Sequence, residues 1–209
     1  MKTYNKIQSL FKREEQTKFK QVIEGDYSLP EFKSLEKSEW EFTEKIDGTN
    51  IRIIISDGDV EFRGKTDNAS IPTQLLNNLR RQFDPIKEEL NKQFPFGACL
   101  YGEGCGPKIQ KGGEGYGDEQ RFIMFDIKVG DWWLKRFDIE ELASAYNIDV
   151  APVIGYGSLD IMTDWVKQGF MSKYGHFIAE GIIAKTKDGL LDRAGRRIIT
   201  KLKYKDFNL

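Results

Sequence analysis

Two cysteines and one histidine, His176, stand among 209 residues. Cys99 and Cys105 are too few for a disulfide framework and too far apart for a CxxC metal or redox site. One imidazole cannot build a multi-histidine metal site or a histidine-based catalytic network, so carboxylates are the ligands available to a hard cation such as Mg²⁺. No apolar run is long enough to cross a bilayer, and the polar opening Met1-Lys2-Thr3-Tyr4-Asn5-Lys6 lacks a signal-peptide pattern. These absences lead us to expect a protein in a reducing, cytoplasmic setting with no membrane partner. Net charge is also close to nil, with 32 Lys and Arg against 33 Asp and Glu, so no global basic field advertises a nucleic-acid partner. There is no internal repeat and no low-complexity linker.

The charge that is present is distributed unevenly. Between Lys185 and Lys205 there are eight basic residues against Asp188 and Asp192. Charge alone allows two readings, a local basic surface or a solvated strand pair. Apolar periodicity predicts a helix over 5–24, from Ile7, Leu10 and Phe11. It predicts strands over 40–46, 50–56 and 59–65, the last two joined at the hairpin signal Asp57-Gly58. A helical stretch over 73–93 is interrupted at Pro85. Strands follow over 98–103, 121–128 and 132–136. Asp138 is placed to cap a helix through Tyr146, and Ser158 one through Gln168. Strands over 179–186 and 196–204 finish the chain. The pattern is α+β, with mostly antiparallel sheets flanked by helices. A single domain spanning 1–209 is expected, with 1–39 a helical segment packed on it.

The most informative stretch is Lys45-Ile46-Asp47-Gly48-Thr49-Asn50, a lysine at a turn between two strands. Loops fixed by a rigid sheet are good places for reactive groups. Lys-x-Asp-Gly also occurs as an ordinary strand-turn signal. Five further segments follow in order: Phe62-Arg63-Gly64-Lys65 through Pro72, Tyr101-Gly102-Glu103-Gly104 through Lys111, Phe122-Ile123-Met124-Phe125-Asp126-Ile127, Ala179-Glu180-Gly181 through Lys185, and Ile199-Thr200-Lys201-Leu202-Lys203 through Phe207. Each has a plainer reading: outward-facing strand lysines, solvated strand-end carboxylates, a core phenylalanine. Taken together, the six segments resemble the nucleotidyltransferase domain of ATP-dependent polynucleotide ligases, most of all RNA ligases of the RNA ligase 2 type. The resemblance runs from about residue 40 to Phe207.

That resemblance implies a ligase adenylyltransferase (ATP-grasp-like) fold and an ATP-dependent RNA ligase. Lys45 would attack the α-phosphate of ATP, forming a lysyl-AMP intermediate. AMP would pass to an RNA 5′-phosphate, which a 3′-hydroxyl would then join. A free lysine, with a pKa of about 10.4, needs desolvation or nearby cations to become a nucleophile near neutral pH. Lys201 and Lys203, two apart on one strand face, would sit at the α-phosphate and supply that field. Glu103 would bind the ribose hydroxyls, and Glu180 would organise catalytic Mg²⁺ or Mn²⁺ and the phosphates. Phe125 would stack on adenine, with Asp126 orienting the site. Lys185 would contact the nucleotide, and Glu44 would offer backbone contacts to the base.

Two positions separate branches of the superfamily. Asn50 stands where DNA ligases and capping enzymes usually carry arginine, which favours the RNA ligase branch. Lys65 aligns with a family arginine, and Arg63, two residues earlier, could serve the same phosphate. Either could be the main contact, and a lysine there gives a point charge in place of a fork. Little sequence follows Phe207, so adenylation is better supported than sealing. The expectations are a minimal ligase, a clamp from a separate domain or partner protein, or a piece of a longer chain. Lys108, Lys111 and the basic segment from Arg193 to Lys205 are the expected contacts for RNA phosphates. The alternatives are a DNA ligase or capping-type transferase, and a nucleic-acid-binding module with a vestigial nucleotide pocket.

Overall fold

A computed structural model of the protein describes residues 3–208. The chain divides into two compact units: one comprises Asp47–Ala151 with Tyr4, the other Asn5–Ile46 and the segment from Pro152 onward. The chain therefore crosses between them inside the Lys45 motif, between Ile46 and Asp47.

The Asp47–Ala151 unit is built on a six-stranded sheet. Its order is Asp149–Val150, Arg121–Val129, Ala98–Cys105, Thr49–Ser56, Asp59–Arg63, with Trp132–Trp133 also paired to Arg121–Val129. All of these pairs are antiparallel except that of Asp149–Val150. The Thr49–Ser56 strand shows why the sheet has two characters. Ile51, Ile53 and Ile55 alternate onto the core face, while Asn50 and Arg52 point to the other. Helix Thr73–Phe83 covers the core face with Leu75, Leu79 and Phe83, four residues apart each time. Each fully buried side chain of this kind contributes roughly 1.5–3 kcal/mol. The expected interruption at Pro85 is a 3₁₀ turn over Asp84–Ile86, after which helix Lys87–Gln93 resumes. The expected hairpin at Asp57-Gly58 has positive φ at both residues, 54° and 80°, as a type I′ turn demands.

The second unit holds a five-stranded sheet in the order Gln8–Ser9, Ile199–Lys203, Gly181–Thr186, Trp40–Glu44, Val153–Gly157, parallel only at its first pair. Helix Leu159–Gln168 lays Leu159, Met162 and Val166 on a core of Trp40, Phe42, Ile182, Ala184 and Leu202. The buried Trp40 indole N–H donates to the Leu35 carbonyl at 3.0 Å.

The helix expected over 5–24 is not formed. That segment instead makes strands Gln8–Ser9, Phe11–Arg13 and the start of Val22–Tyr27. The apolar stripe stops after Phe11, and Phe19, the next large apolar residue, is 57% exposed, so a helix would have had little to bury. Pairing with the Ile199–Lys203 strand offers more: the Leu10 N–H donates to the Lys201 carbonyl at 3.0 Å, and Leu10 is fully buried. Asp138 is inside its helix, Arg136–Tyr146, and not ahead of it, and it accepts the Lys135 N–H at 3.2 Å. Ser158 does stand at the N-cap position of its helix.

Candidate active site

Lys45 directly follows the Trp40–Glu44 strand, whose core-facing Trp40 and Phe42 fix its end. Its ammonium forms an ion pair with Glu180 Oε2. The other oxygen of that carboxylate accepts Lys203 at 2.6 Å. Glu180 thus lies between two lysines contributed by different segments. Gly181 makes the arrangement possible: opposite Lys203 in the ladder, it could not carry a Cβ without collision with the Leu202 carbonyl oxygen. Burial pushes the Glu180 carboxyl up, but Lys45 and Lys203 outweigh that and hold it below the ordinary carboxylate value.

Thr200 and Leu202 point into the core, so Lys201 and Lys203 share the opposite sheet face, as the two-residue spacing predicts. Among the described residues no carboxylate pairs with Lys201. Burial first, then the neighbouring charges of Lys45 and Lys203, lower its pKa to about 8. Lys185 lies on the same sheet face by strand parity, opposite Ile199 and Glu41 in register. Glu44 is 1% exposed, and its carboxylate accepts Ser172 Oγ at 2.5 Å and the Lys173 N–H at 2.8 Å. Its side chain therefore anchors the loop that leads to Glu180.

Two residues missed in the sequence hold the far end of this cluster. Asp206, 1% exposed, accepts Arg13 Nη2 at 2.7 Å and the Lys203 N–H at 2.9 Å. Asp206 lies within a motif segment, but nothing local marks Arg13 as its partner, 193 residues away.

The other unit holds the remaining expected residues. Asn50 and Glu103 are direct cross-strand partners, and Asn50 Nδ2 donates to Glu103 Oε2 at 2.7 Å. Asn50 thereby orients that carboxylate. Phe125 owes its position to a bulge. Tyr101 pairs with Asp126 but Gly102 pairs with Met124, so Phe125 is the extra residue and its side chain is re-aimed. Core residues Met124 and Ile127 stay inward on either side. Gly102 permits the close approach there, since a Cβ would strike the Phe122 ring. Asp126 is 1% exposed and accepts the Tyr4 hydroxyl at 2.5 Å.

The rest of the Lys45 motif is braced within this unit. The Asp47 N–H donates to the Tyr116 hydroxyl at 2.9 Å, and Gln110 Nε2 donates to the Gly48 carbonyl at 3.1 Å. A Cβ on Gly48 would meet the Gly104 carbonyl oxygen, so the glycine is required sterically. Arg63 and Lys65 do not share one strand. The strand ends at Arg63, which pairs with Glu61 at 2.9 Å, and Lys65 is exposed in the bend after Gly64. That bend is fastened by Arg52, a buried arginine overlooked in the sequence. It donates to the Gly64 carbonyl at 3.0 Å and to Asp67 at 2.7 Å. Among the described residues no group of three or more His, Cys, Asp or Glu converges on a metal site, and no helix is long and apolar enough to cross a membrane.

A sequence model of the RNA ligase family matches residues 38–203, more than three-quarters of the chain, and the protein belongs to that family. Solved structures with the same α+β, mostly antiparallel architecture include Naegleria gruberi RNA ligase with PPi, at TM-score 0.67 and 17% identity over 96% of this chain. A lysine-to-alanine variant of the same Naegleria ligase, with ATP and Mn, matches at TM-score 0.64 and 18% identity over 85%. The likeness at this identity is one of fold. The present chain spans 57% and 54% of those two chains.

Proposed function

We propose that this chain is the nucleotidyl-transfer part of an ATP-dependent RNA ligase. The observation that carries the reading is the Lys45–Glu180–Lys203 cluster with Lys201 beside it, in a chain of the RNA ligase family. It places a primary amine among cations on a sheet face, the setting a lysine needs to attack a phosphate.

In the first step the Lys45 ammonium leaves Glu180, gives up a proton to solvent water and attacks the α-phosphorus of ATP as the free amine. A P–N bond forms, the bond to pyrophosphate breaks, and Lys201 and Lys203 neutralise the phosphoryl oxygens. Phe125 stacks on the adenine and Glu103, held by Asn50, takes the ribose hydroxyls. Glu44 meets the base through its backbone, and Lys185 with Arg63 or Lys65 meets the phosphates. In the second step an oxygen of an RNA 5′-phosphate attacks the lysyl-bound phosphorus and frees Lys45. In the third a 3′-hydroxyl attacks the activated 5′-phosphorus and AMP departs. Glu180 is a hard oxygen ligand suited to Mg²⁺ or Mn²⁺. It carries two ammonium partners in this structure, and it is the side chain that would hold such an ion. When bound, such an ion would neutralise charge on the phosphates. The basic residues from Arg193 to Lys205, with Lys108 and Lys111, would hold the RNA backbone. A clamp domain or partner protein would complete the grip, in a cytoplasmic setting.

Intact-protein mass spectrometry after incubation with ATP and Mg²⁺ tests the reading. An AMP-sized gain in the wild type, absent in Lys45→Ala, is expected. Wild type that shows no gain, after prior stripping with pyrophosphate, would return the chain to the binding-module reading. In a parallel incubation with GTP, a GMP-sized gain with none from ATP would indicate a capping-type enzyme.

A further inference from the structure

Tyr4 lies in a cage of aromatic rings. Its ring meets Phe125 at 5.1 Å and 79°, Tyr101 at 5.2 Å and 60°, and Trp133 at 5.6 Å and 77°, all in edge-to-face geometry. Its hydroxyl donates to Asp126 Oδ2 at 2.5 Å. Asn5 already belongs to the other unit, and Tyr4 fastens this end of the chain to the six-stranded sheet. Nothing in the periodicity of residues 1–24 marks it.

We propose that Tyr4 is a positioning residue for the purine end of the nucleotide, acting through Phe125 and Asp126. This inference rests on the reading of Phe125 as the adenine-stacking ring. Phe125 is the extra residue of the bulge, and Tyr4 packs edge-on against its ring. That contact limits the ring's rotation about its χ angles. The hydroxyl fixes which way the adjoining carboxylate turns. It is a charge-assisted bond to an almost fully buried carboxylate, a stronger class than neutral hydrogen bonds. With Tyr4 in place the ring and the carboxylate are set before the base arrives, so little ordering remains to be done on binding. The triphosphate end, assigned to lysines of the other unit, gains nothing from Tyr4.

The test is calorimetric titration of ATP, and separately of pyrophosphate, into protein carrying Lys45→Ala, which blocks adduct formation. Against that background, Tyr4→Ala is expected to weaken ATP by roughly ten- to a hundredfold, from the aromatic contacts and the charge-assisted bond together. Tyr4→Phe, which keeps the ring, is expected to weaken it about three- to tenfold. Pyrophosphate affinity should stay unchanged in both, a separation that a general loss of structure would not produce. Unchanged ATP affinity, or an equal loss for ATP and pyrophosphate, overturns the proposal. If Tyr4→Ala fails to fold, Tyr4→Phe decides alone, and wild-type ATP affinity there overturns it. The mass-spectrometric test above separates this inference from the functional one. No adduct in wild type, with ATP binding weakened by the Tyr4 changes, removes the transfer reading and leaves the positioning role. A normal adduct with unaltered ATP binding in the variants does the reverse. No ATP binding at all removes both.

Discussion

In the unit that carries Lys45 two lysines hold the Glu180 carboxylate, whereas in the unit that carries Glu103 and Phe125 an amide donates to Glu103 and a phenol to Asp126. Glu180 is fixed by two lysines, and Asp206 by an arginine and a backbone N–H. Across the other sheet face, Glu103 leans on an amide and Asp126 on a phenol, while Phe125 is placed by a bulge and by rings. The difference matters chemically. Under the proposed function, an anionic phosphate would compete with this carboxylate for the same two ammonium groups, and the cluster would exchange partners when a nucleotide arrives. Amide, phenol and ring contacts have no such competitor and can stay as they are. One half is set up to rearrange and the other to receive.

Breaking the first half at its centre gives the largest expected effect. Glu180→Gln removes the charge that both lysines share while keeping the shape. Its amide NH₂ must then face one of the two ammonium groups, and partly buried cations lose their counter-charge. Removing one partner of a fully buried pair costs about 3–5 kcal/mol, and about 2–4 kcal/mol is expected for this less buried set. Adduct formation from ATP should fall by roughly a hundredfold or more, since metal and phosphate organisation go together. Urea denaturation and the rate of AMP-adduct growth measure the two effects. A variant as stable and as fast as wild type would show that the cluster does not depend on Glu180.

The second half should break differently. Arg52→Met deprives the buried Gly64 carbonyl of its donor and leaves the Lys65 bend unfastened, with an expected loss of about 2–3 kcal/mol. Asp67→Ala removes a further partner of Arg52, but Asp67 is 75% exposed, so its loss should cost much less than that of Arg52. Paired denaturation curves check the ranking. If Asp67→Ala costs as much as Arg52→Met, the salt bridge and not the backbone bond holds the bend.

How much of this was legible in the sequence follows the range of the interactions. The strands flanking Lys45, the Asp57-Gly58 hairpin and the break at Pro85 depend on near neighbours, and all were readable. The segment 5–24 was not, because its conformation is settled by backbone pairing with residues 199–203 at the opposite end of the chain. The common face of Lys201 and Lys203 follows from strand parity alone. Phe125 could be picked out by its motif, but its bulge exists only relative to the Tyr101–Gly102 register. Arg52 looked like one more polar position in an alternating strand, and its burial depends on a bend that begins twelve residues later.

The last expected effect sharpens the contrast, because it is a gain. Lys201 has a pKa lowered from 10.5 to about 8, by burial first and then by Lys45 and Lys203. Below about pH 8 the lysine is protonated in both folded and unfolded chains, so the folded state bears the full cost of that buried charge. Between about 8 and 10.5 the unfolded chain keeps the proton and the folded one does not, and stability therefore rises with pH across that window. Lys201→Met removes the charge while keeping much of the stem. It should stabilise the protein by roughly 1–2 kcal/mol near pH 7, a figure reduced for the partial exposure of the side chain. The gain should shrink toward zero near pH 10, and adduct formation should fall because the phosphate loses a cation. Urea midpoints at the two pH values measure it. A difference between variant and wild type that is the same at both would mean Lys201 bears no such cost, and that the cluster is already balanced without a phosphate.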